Sequence, residues 1–485
     1  MPVKLHALYF SSSDRSNRTR IAHLVKQGKI RKIGPKLFTS LSEEKIGEYL
    51  KRNWSQVVDI IFPGSHISFR TAFEFKPSAE GFIFLTSKSE RIIEYPGLKI
   101  KFVTGSKSIQ SDNKFIGSLV VSSFERTLLE NLSTVSKKWA LRNVQQSYIE
   151  NKLEDILITS GEEALNEVRD KAKNVAHELN FEKAFKKLNN IIGALLGTKA
   201  SDSLKTSAGL SRARGIPFDV NCIRKLEILF GELRTSSFKA IGDPLKSQQH
   251  FFNKAFFESY FSNYIEGTTF EIAEAEEIIF DKKIIETRPK DSHDILGVFK
   301  IVSDKNEIFE VPTNYAHLEE IIKRRHFMML QYRDEVHPGL YKNKVNRAGN
   351  TIFVHPEYVR GSLSRGMELY LALHHPMAKA IFISFLITEV HPFNDGNGRL
   401  ARIMFNSEMQ KENLSTMIIP NVYREDYLLS LRAMSRRERP NPLIKTHTKA
   451  QEFSAIDFLD YKKALEYLVD HNWFLEPNEG KIVYK

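Results

Sequence analysis

His391-Pro392-Phe393-Asn394-Asp395-Gly396-Asn397-Gly398-Arg399-Leu400-Ala401-Arg402 sets a titratable base, a carboxylate, two glycines around an amide and two arginines within twelve residues. Upstream, Met377 to Val390 is almost wholly apolar, and Ile381, Phe382, Phe385, Leu386 and Val390 suit a buried helix. Pro392 biases the residue before it away from helical dihedrals, so the chain is expected to turn at His391 and present it at the rim of a rigid core. Gly396 and Gly398 allow positive φ and close approach to a ligand, so that successive N–H groups can form an anion-binding nest. A second helix is expected to start near Gly398 and run through Leu400, Ile403, Met404 and Phe405 towards Met409, adding the favourable end of its dipole. Arg399 and Arg402, three residues apart, are expected on one face of that helix beside the same anion.

Asp395 is the single carboxylate inside this positive site, which makes sense where a divalent cation bridges it to a diphosphate. Magnesium binds in that way, through one or two carboxylates plus substrate oxygens and water. His391, with an ordinary imidazole pKa of about 6.5, can take a proton from an attacking hydroxyl near neutral pH. Singly, each residue has a plainer reading: a helix cap, a turn, a solvated basic face. Jointly, at this spacing, they describe general-base-assisted attack on a nucleotide phosphate.

The same string resembles, without a gap, the signature of Fic-domain proteins, His-Pro-Phe-x-Asp/Glu-Gly-Asn-Gly-Arg-x-x-Arg. The resemblance implies a mostly α-helical Fic core over 217–440. It also implies transfer of AMP from ATP to a Ser, Thr or Tyr hydroxyl of a target protein, with ATP and Mg²⁺ required. Carried onto this chain, it implies His391 as the base and Asp395 as the Mg²⁺ ligand. Asn397 with the backbone of Gly396 and Gly398 would cradle phosphate, Arg399 and Arg402 would hold the departing β- and γ-phosphates, and Phe393 would anchor the core. A tyrosine of the downstream helix, Tyr423 or Tyr427, would line the nucleotide pocket.

Ahead of the signature stands Ser262-Asn263-Tyr264-Ile265-Glu266-Gly267. Ser262 and Glu266 lie one helical turn apart on a common face, and Gly267 is a natural C-terminal stop. The pattern resembles the inhibitory helix, Ser/Thr-x-x-x-Glu-Gly/Asn, of the Fic subclass in which that helix precedes the signature. The resemblance implies that Glu266 pairs with Arg402, occupies the γ-phosphate site and silences the resting enzyme; in some relatives the same Glu aligns a water that removes AMP. Between the two motifs, Lys342 to Pro356 carries Gly-Asn punctuation before a short β-rich run and reads as a hairpin. In the resemblance it is the flap, whose Thr351, Ile352 and Phe353 pair by main-chain hydrogen bonds with the target segment.

The remaining chain bounds the reading. At 485 residues the expectation is two to four domains, 41% hydrophobic residues suffice for globular folding, and the single cysteine, Cys222, excludes a disulfide scaffold. With no apolar run of membrane length and no signal-like start, a cytoplasmic, membrane-free protein is expected. The net charge is +12, and residues 1–110 hold 19 Lys and Arg against 9 Asp and Glu. Within them, Ser16 to Gln27 reads as a capped helix with Ile21, Leu24 and Val25 inward, followed by a tight basic hairpin from Gly28 to Thr39. Helix plus basic hairpin is the ending of a winged helix-turn-helix, which makes Arg18, Arg20, Lys29, Arg31, Lys32 and Lys36 candidate DNA contacts. Together with Ile67 to Ala72 and Phe124 to Leu129, this segment looks like the N-terminal half of AbiEi-type antitoxin and regulator proteins, over roughly 1–190.

The fold expected is therefore multidomain and mainly α: a winged helix-turn-helix (1–40), an AbiEi-like α+β and helical module (41–190), a linker (191–216), the Fic core with its β-hairpin flap and inhibitory helix (217–440), and a helical cap ending in a short strand (441–485). The leading function is an autoinhibited protein adenylyltransferase with a DNA-binding N-terminal module, its oligomeric state, including a homo-oligomer, left open. The alternative is a DNA-binding regulator or antitoxin that uses the Fic part as a nucleotide sensor. A third reading keeps the fold and transfers phosphocholine or phosphate; Arg402 and Glu266 favour ATP.

Overall fold

In the computed structural model, which describes residues 7–106, 108–134, 141–243 and 247–483, the chain forms two units, Met1–Ala213 and Arg214–Lys485. The first contains β1 (Leu8–Phe10), α1 (Arg15–Lys26), β2 (Arg31–Gly34), β3 (Leu37–Thr39), α2 (Glu43–Arg52), α3 (Trp54–Ile61), β4 (His66–Ile67), α4 (Phe69–Glu74), β5 (Phe82–Ser87), β6 (Arg91–Tyr95), β7 (Leu98–Thr104), β8 (Asn113–Lys114), β9 (Val120–Val121), α5 (Phe124–Leu132), α6 (Gln146–Leu179), α7 (Glu182–Leu195) and α8 (Ser207–Ala213). A three-stranded sheet runs β1-β3-β2 and a six-stranded sheet runs β6-β7-β5-β4-β9-β8, with β5 and β7 parallel. Alternation along β5 and β7 sends Ile83, Leu85, Ile100 and Phe102 into a core shared with Val57 and Val58 of α3. A second core joins Leu128, Leu153, Leu188 and Ile192 of α5, α6 and α7.

Asp14 caps α1 by accepting from the Asn17 N–H at 2.9 Å, and the basic hairpin turns at Pro35-Lys36, where Lys36 takes φ 59°. Ile21 is buried as expected, but Val25 is 40% exposed, because this short helix packs along a single narrow stripe. Between residues 7 and 40 α1 is the single helix described, so the expected winged helix-turn-helix is represented there by one helix and a wing, and α2 and α3 follow the hairpin. The stretch 191–216 is not an open linker: α7 continues to Leu195 with Ile191 and Ile192 buried, and α8 buries Ala208. The two sequence stretches singled out after the hairpin meet at a buried carboxylate, since Glu130 accepts from the Phe69 N–H at 2.8 Å and from Arg126 Nε at 2.8 Å.

The second unit is helical, with α9 (Val220–Thr235), α10 (Gln248–Ile265), α11 (Ile272–Phe280), α12 (Pro289–Val302), α13 (Lys305–Ile308), α14 (Tyr315–Leu330), the hairpin β10 (Arg347–Ala348) and β11 (Thr351–Ile352), α15 (Val359–Leu371), α16 (Pro376–Val390), α17 (Asn397–Lys411), α18 (Arg424–Arg437), α19 (Pro440–Ser454) and α20 (Tyr461–Asp470). α16 and α17 are apolar or buried around most of their circumference, which makes them the centre of the unit, and they pack on each other. Helical packing continues past 440: α19 lies on α18, and Trp473 after α20 is buried against Phe261 and Phe453. No final strand occurs among the described residues of the tail, which leave α20 through turns. No helix of the described residues is long and apolar enough to cross a membrane.

Candidate active site

His391 follows the last turn of α16 with φ 52°, a left-handed conformation uncommon for an L side chain. Its Nδ1 lies 3.2 Å from the Thr388 carbonyl, an oxygen that only accepts, so Nδ1 carries the proton and Nε2 keeps its lone pair. The ring stacks on Phe353 at 3.7 Å between centroids. Burial pushes the His391 pKa down to about 4, the Thr388 carbonyl pulls against that shift and the nearby Lys342 charge adds to it, so the imidazole is neutral at physiological pH.

The turn that follows is locked by its own side chains. Asn397 accepts from the Phe393 N–H at 2.9 Å and donates to the Phe393 carbonyl at 2.8 Å. Its amide thus pins the loop. Gly396 takes φ 74°, but Gly398 lies inside α17 with ordinary helical backbone; glycine fits there because a methyl would collide with the Glu266 carboxylate. Asp395 accepts from the Gly396 N–H through Oδ1 at 2.7 Å and holds Oδ2 3.8 Å from Arg399, with half its side chain exposed.

The two arginines do not converge on one empty anion site. Arg399 donates to Asp294 at 2.6 Å and to Asn263 at 3.2 Å, and its buried Nε has no partner. Arg402 donates to the Ser262 hydroxyl at 3.0 Å, to the Ser262 carbonyl at 2.8 Å and to Glu266 at 2.7 Å. Its guanidinium stands 6.0 Å over the Tyr427 ring. Gly267, at φ 91°, lets the chain leave α10 just after Glu266. Ser262, Glu266 and Arg402 therefore form one closed cluster, with Gly398 as its floor.

A cleft of about 520 Å³ joins these groups, lined by Glu266, Arg402, Gly398, His391, Phe353 and Thr351 among others, and by Tyr427, Leu428 and Leu431 of α18. Tyr427 faces this cleft, while Tyr423 packs edge-on against Phe453. The hairpin β10–β11 forms its rim: Thr351 is tied to Arg436 at 2.8 Å and Ile352 is 61% exposed. Among the described residues no group of three His, Cys, Asp or Glu could hold a metal by itself, so a cation at Asp395 would share substrate oxygens.

Two residues of the site carried no local signal. Asp294 on α12 accepts from both Arg399 and Arg333, the latter at 2.7 Å, and Arg333 is also met by Asp291 at 3.2 Å. His326 on α14 accepts from the Gly339 N–H at 2.9 Å, which leaves its Nε2–H to donate to the Asp395 carbonyl at 3.0 Å, and it stacks on Phe393. Burial pushes its pKa down to about 4, so it stays neutral. In the first unit, Arg18, Arg20, Lys29, Arg31, Lys32 and Lys36 are all exposed.

Residues 315–409 match the Fic/DOC family. Protein adenylyltransferase Fic of Culex quinquefasciatus is 26% identical over 174 residues, 35% of this chain and 34% of that protein. Its namesake in Nematostella vectensis is 22% identical over 232 residues, 47% of this chain and 54% of that protein. The chain thus spans about a third to a half of the length of these curated relatives. Among solved structures, Fic-1 (aa134 - 508) from C. elegans is similar over 67% of this chain and 94% of that one, at 17% identity and a TM-score of 0.38. IbpAFic2 covalently tethered to Cdc42 is similar over 63% and 88%, at 12% identity and a TM-score of 0.33.

Proposed function

We propose, from the premise that this chain carries a Fic domain, that it is an autoinhibited protein adenylyltransferase moving AMP from ATP to a hydroxyl of a target protein. The observation that carries the reading is the juxtaposition of a neutral His391, its Nε2 lone pair unused, with an Arg402 held by Glu266 in the same cleft. The target hydroxyl gives its proton to His391 Nε2 as its oxygen bonds to the α-phosphorus. The bond from the α-phosphorus to the oxygen bridging to the β-phosphorus breaks, and pyrophosphate leaves. Arg402 balances the charge on the leaving group once it is released from Glu266.

Asp395 Oδ2 is the carboxylate oxygen available to Mg²⁺, which when bound supplies positive charge to the diphosphate. Arg399, paired with Asp294 and Asn263, would have to be released from them to meet a phosphate. While Glu266 keeps Arg402, the γ-phosphate lacks its partner and the α-phosphorus cannot reach the in-line pose. In the same reading Glu266 would align a water for AMP removal, as the resemblance to the Fic subclass implies. A nucleotide sensor would have no use for the open Nε2 of His391, which weighs against a purely regulatory role.

The test is intact-mass analysis after incubation with ATP and Mg²⁺. Glu266→Gly should gain AMP units, the parent little, and Glu266→Gly/His391→Ala none. Equal labelling of parent and Glu266→Gly, or labelling that persists without His391, overturns the reading.

The exposure of all six basic residues on α1 and the β2–β3 hairpin favours DNA as a second ligand, held through the N-terminal module. Gel retardation in moderate salt should weaken uniformly in Lys29→Ala/Arg31→Ala/Lys32→Ala; unchanged retardation, or none in the parent, excludes it.

A further inference from the structure

The left-handed turn at His391 is held from outside by one short segment. The Lys342 backbone N–H donates to the Pro392 carbonyl at 2.9 Å, and its ammonium donates to the Val390 carbonyl at 3.2 Å and to Asn346 Oδ1 at 2.8 Å. Asn346 in turn donates to the Phe393 carbonyl at 2.9 Å. The carbonyls of Val390, Pro392 and Phe393, which flank the base, are thus all gripped by residues 342 and 346. Lys342 is 3% exposed, and its charge is met by oxygen dipoles with no carboxylate among its hydrogen-bond partners. Burial pushes the Lys342 pKa down to about 7, so near neutral pH the amine holds these oxygens by its N–H bonds with only part of its charge, and so costly a group behind the base calls for a reason.

The grip also reaches the flap. Asn346 leads directly into β10, the Phe353 N–H after β11 returns to the Asn346 carbonyl at 3.2 Å, and the Phe353 ring stacks on His391. The flap's two ends therefore hold the backbone around the base and the base's ring.

We propose that Lys342 and Asn346 are positioning residues, a clamp that ties His391 to the flap so that a target segment pairing along β11 also fixes the base against its hydroxyl. The inference rests on the adenylyltransferase reading for its catalytic consequence, and on hydrogen bonding alone for its mechanical one. Lys342→Met leaves the cleft-lining groups in place but releases the Val390 carbonyl and Asn346.

Two measurements on the full chain test it. Amide hydrogen exchange of Lys342→Met should quicken in peptides covering 387–398 and 343–353 and stay unchanged over 248–265. In the Glu266→Gly background, Lys342→Met should lower kcat for AMP transfer at least about tenfold, as misplacement of a reacting group does, while KM for ATP stays within about twofold and Lys342→Arg recovers part of the loss. Unchanged exchange around His391, an unchanged kcat, or kcat and KM for ATP worsening in parallel each overturns the clamp. If Glu266→Gly itself transfers no AMP, the proposed function fails while the exchange result still decides the clamp. Should Lys342→Met fail to fold, Asn346→Ala, at a half-buried position, carries the same test through the single bond to Phe393.

Discussion

Arg402 spends its donors on one helix end, and each bond has a separable consequence. Glu266 neutralises it, while Ser262 satisfies Nε through its hydroxyl and a terminal nitrogen through its carbonyl. Ser262→Ala removes only the hydroxyl, a bond to a charged group worth about 1.5–3 kcal/mol. Arg402 should then leave Glu266 more readily, and AMP transfer should rise to a level between the parent and Glu266→Gly; labelling with radioactive ATP reads it, and a Ser262→Ala protein as silent as the parent would count against a shared lock. His391 makes a second prediction at this scale. Because burial holds its pKa near about 4, the base is already neutral across pH 6–8. The acid limb of kcat/KM in Glu266→Gly should therefore fall below about pH 5, well under the about 6.5 of a free imidazole. A limb centred near neutral pH would mean that the ring is far better solvated than its stacking on Phe353 implies.

The element that a target would meet is the β10–β11 hairpin, and its register says which groups are free. Arg347 faces Ile352 and Ala348 faces Thr351, while the next pair outward is closed by the Phe353 N–H to the Asn346 carbonyl. Hydrogen-bonded and non-bonded pairs alternate along an antiparallel ladder, so the Ile352 N–H points away from β10 towards the open edge. Ile352→Pro removes that donor without breaking the hairpin. It should suppress modification of a separate target protein while leaving KM for ATP unchanged; equal loss of ATP affinity would show the flap acting on the nucleotide instead. The hairpin and the α16–turn–α17 unit were legible because their signals are local: Gly349-Asn350 marks the turn, and a mostly apolar run reaches Val390 just before His391-Pro392. The roles of Asp294, His326 and Lys342 were not legible. Their partners are Arg399, the Asp395 carbonyl and the Val390 carbonyl, far away in sequence, and nothing in the residues around them marks the meeting. The contacts that Asn397 makes to Phe393, and the closeness of Gly398 to Glu266, were not legible for a related reason, since an amide and a glycine in such a turn look the same in sequence whatever they face.

At the scale of the whole chain, charge and chemistry are kept apart. The excess of Lys and Arg falls in residues 1–110, whereas the cleft lies wholly within Arg214–Lys485. That second unit has its own apolar centre in α16 and α17 and buries α19 and Trp473 within itself, so residues 214–485 expressed alone should fold cooperatively. The fragment should also share an acid sensitivity with the full protein. His326, His391 and His447 are all held neutral by burial, each with a pKa near about 4 in the folded state against about 6.5 unfolded. Between those values the unfolded chain binds protons that the folded chain does not, so stability is lost as pH falls from 6.5 towards 4 and is insensitive to these groups above that window. Glu258 and Glu408, which burial pushes up to about 7, bind protons on folding over the same range and offset two of the three histidines, so thermal unfolding of the fragment should show a midpoint that does not fall from pH 7.5 to 6 and drops modestly from 6 to 4.5. A midpoint that falls steeply between pH 7.5 and 6 would mean that the three rings are not held neutral by burial, whereas a fragment that unfolds without a cooperative transition would mean that the second unit depends on the first for its core, and that the proposed switch at Arg402 cannot be assigned to Arg214–Lys485 alone.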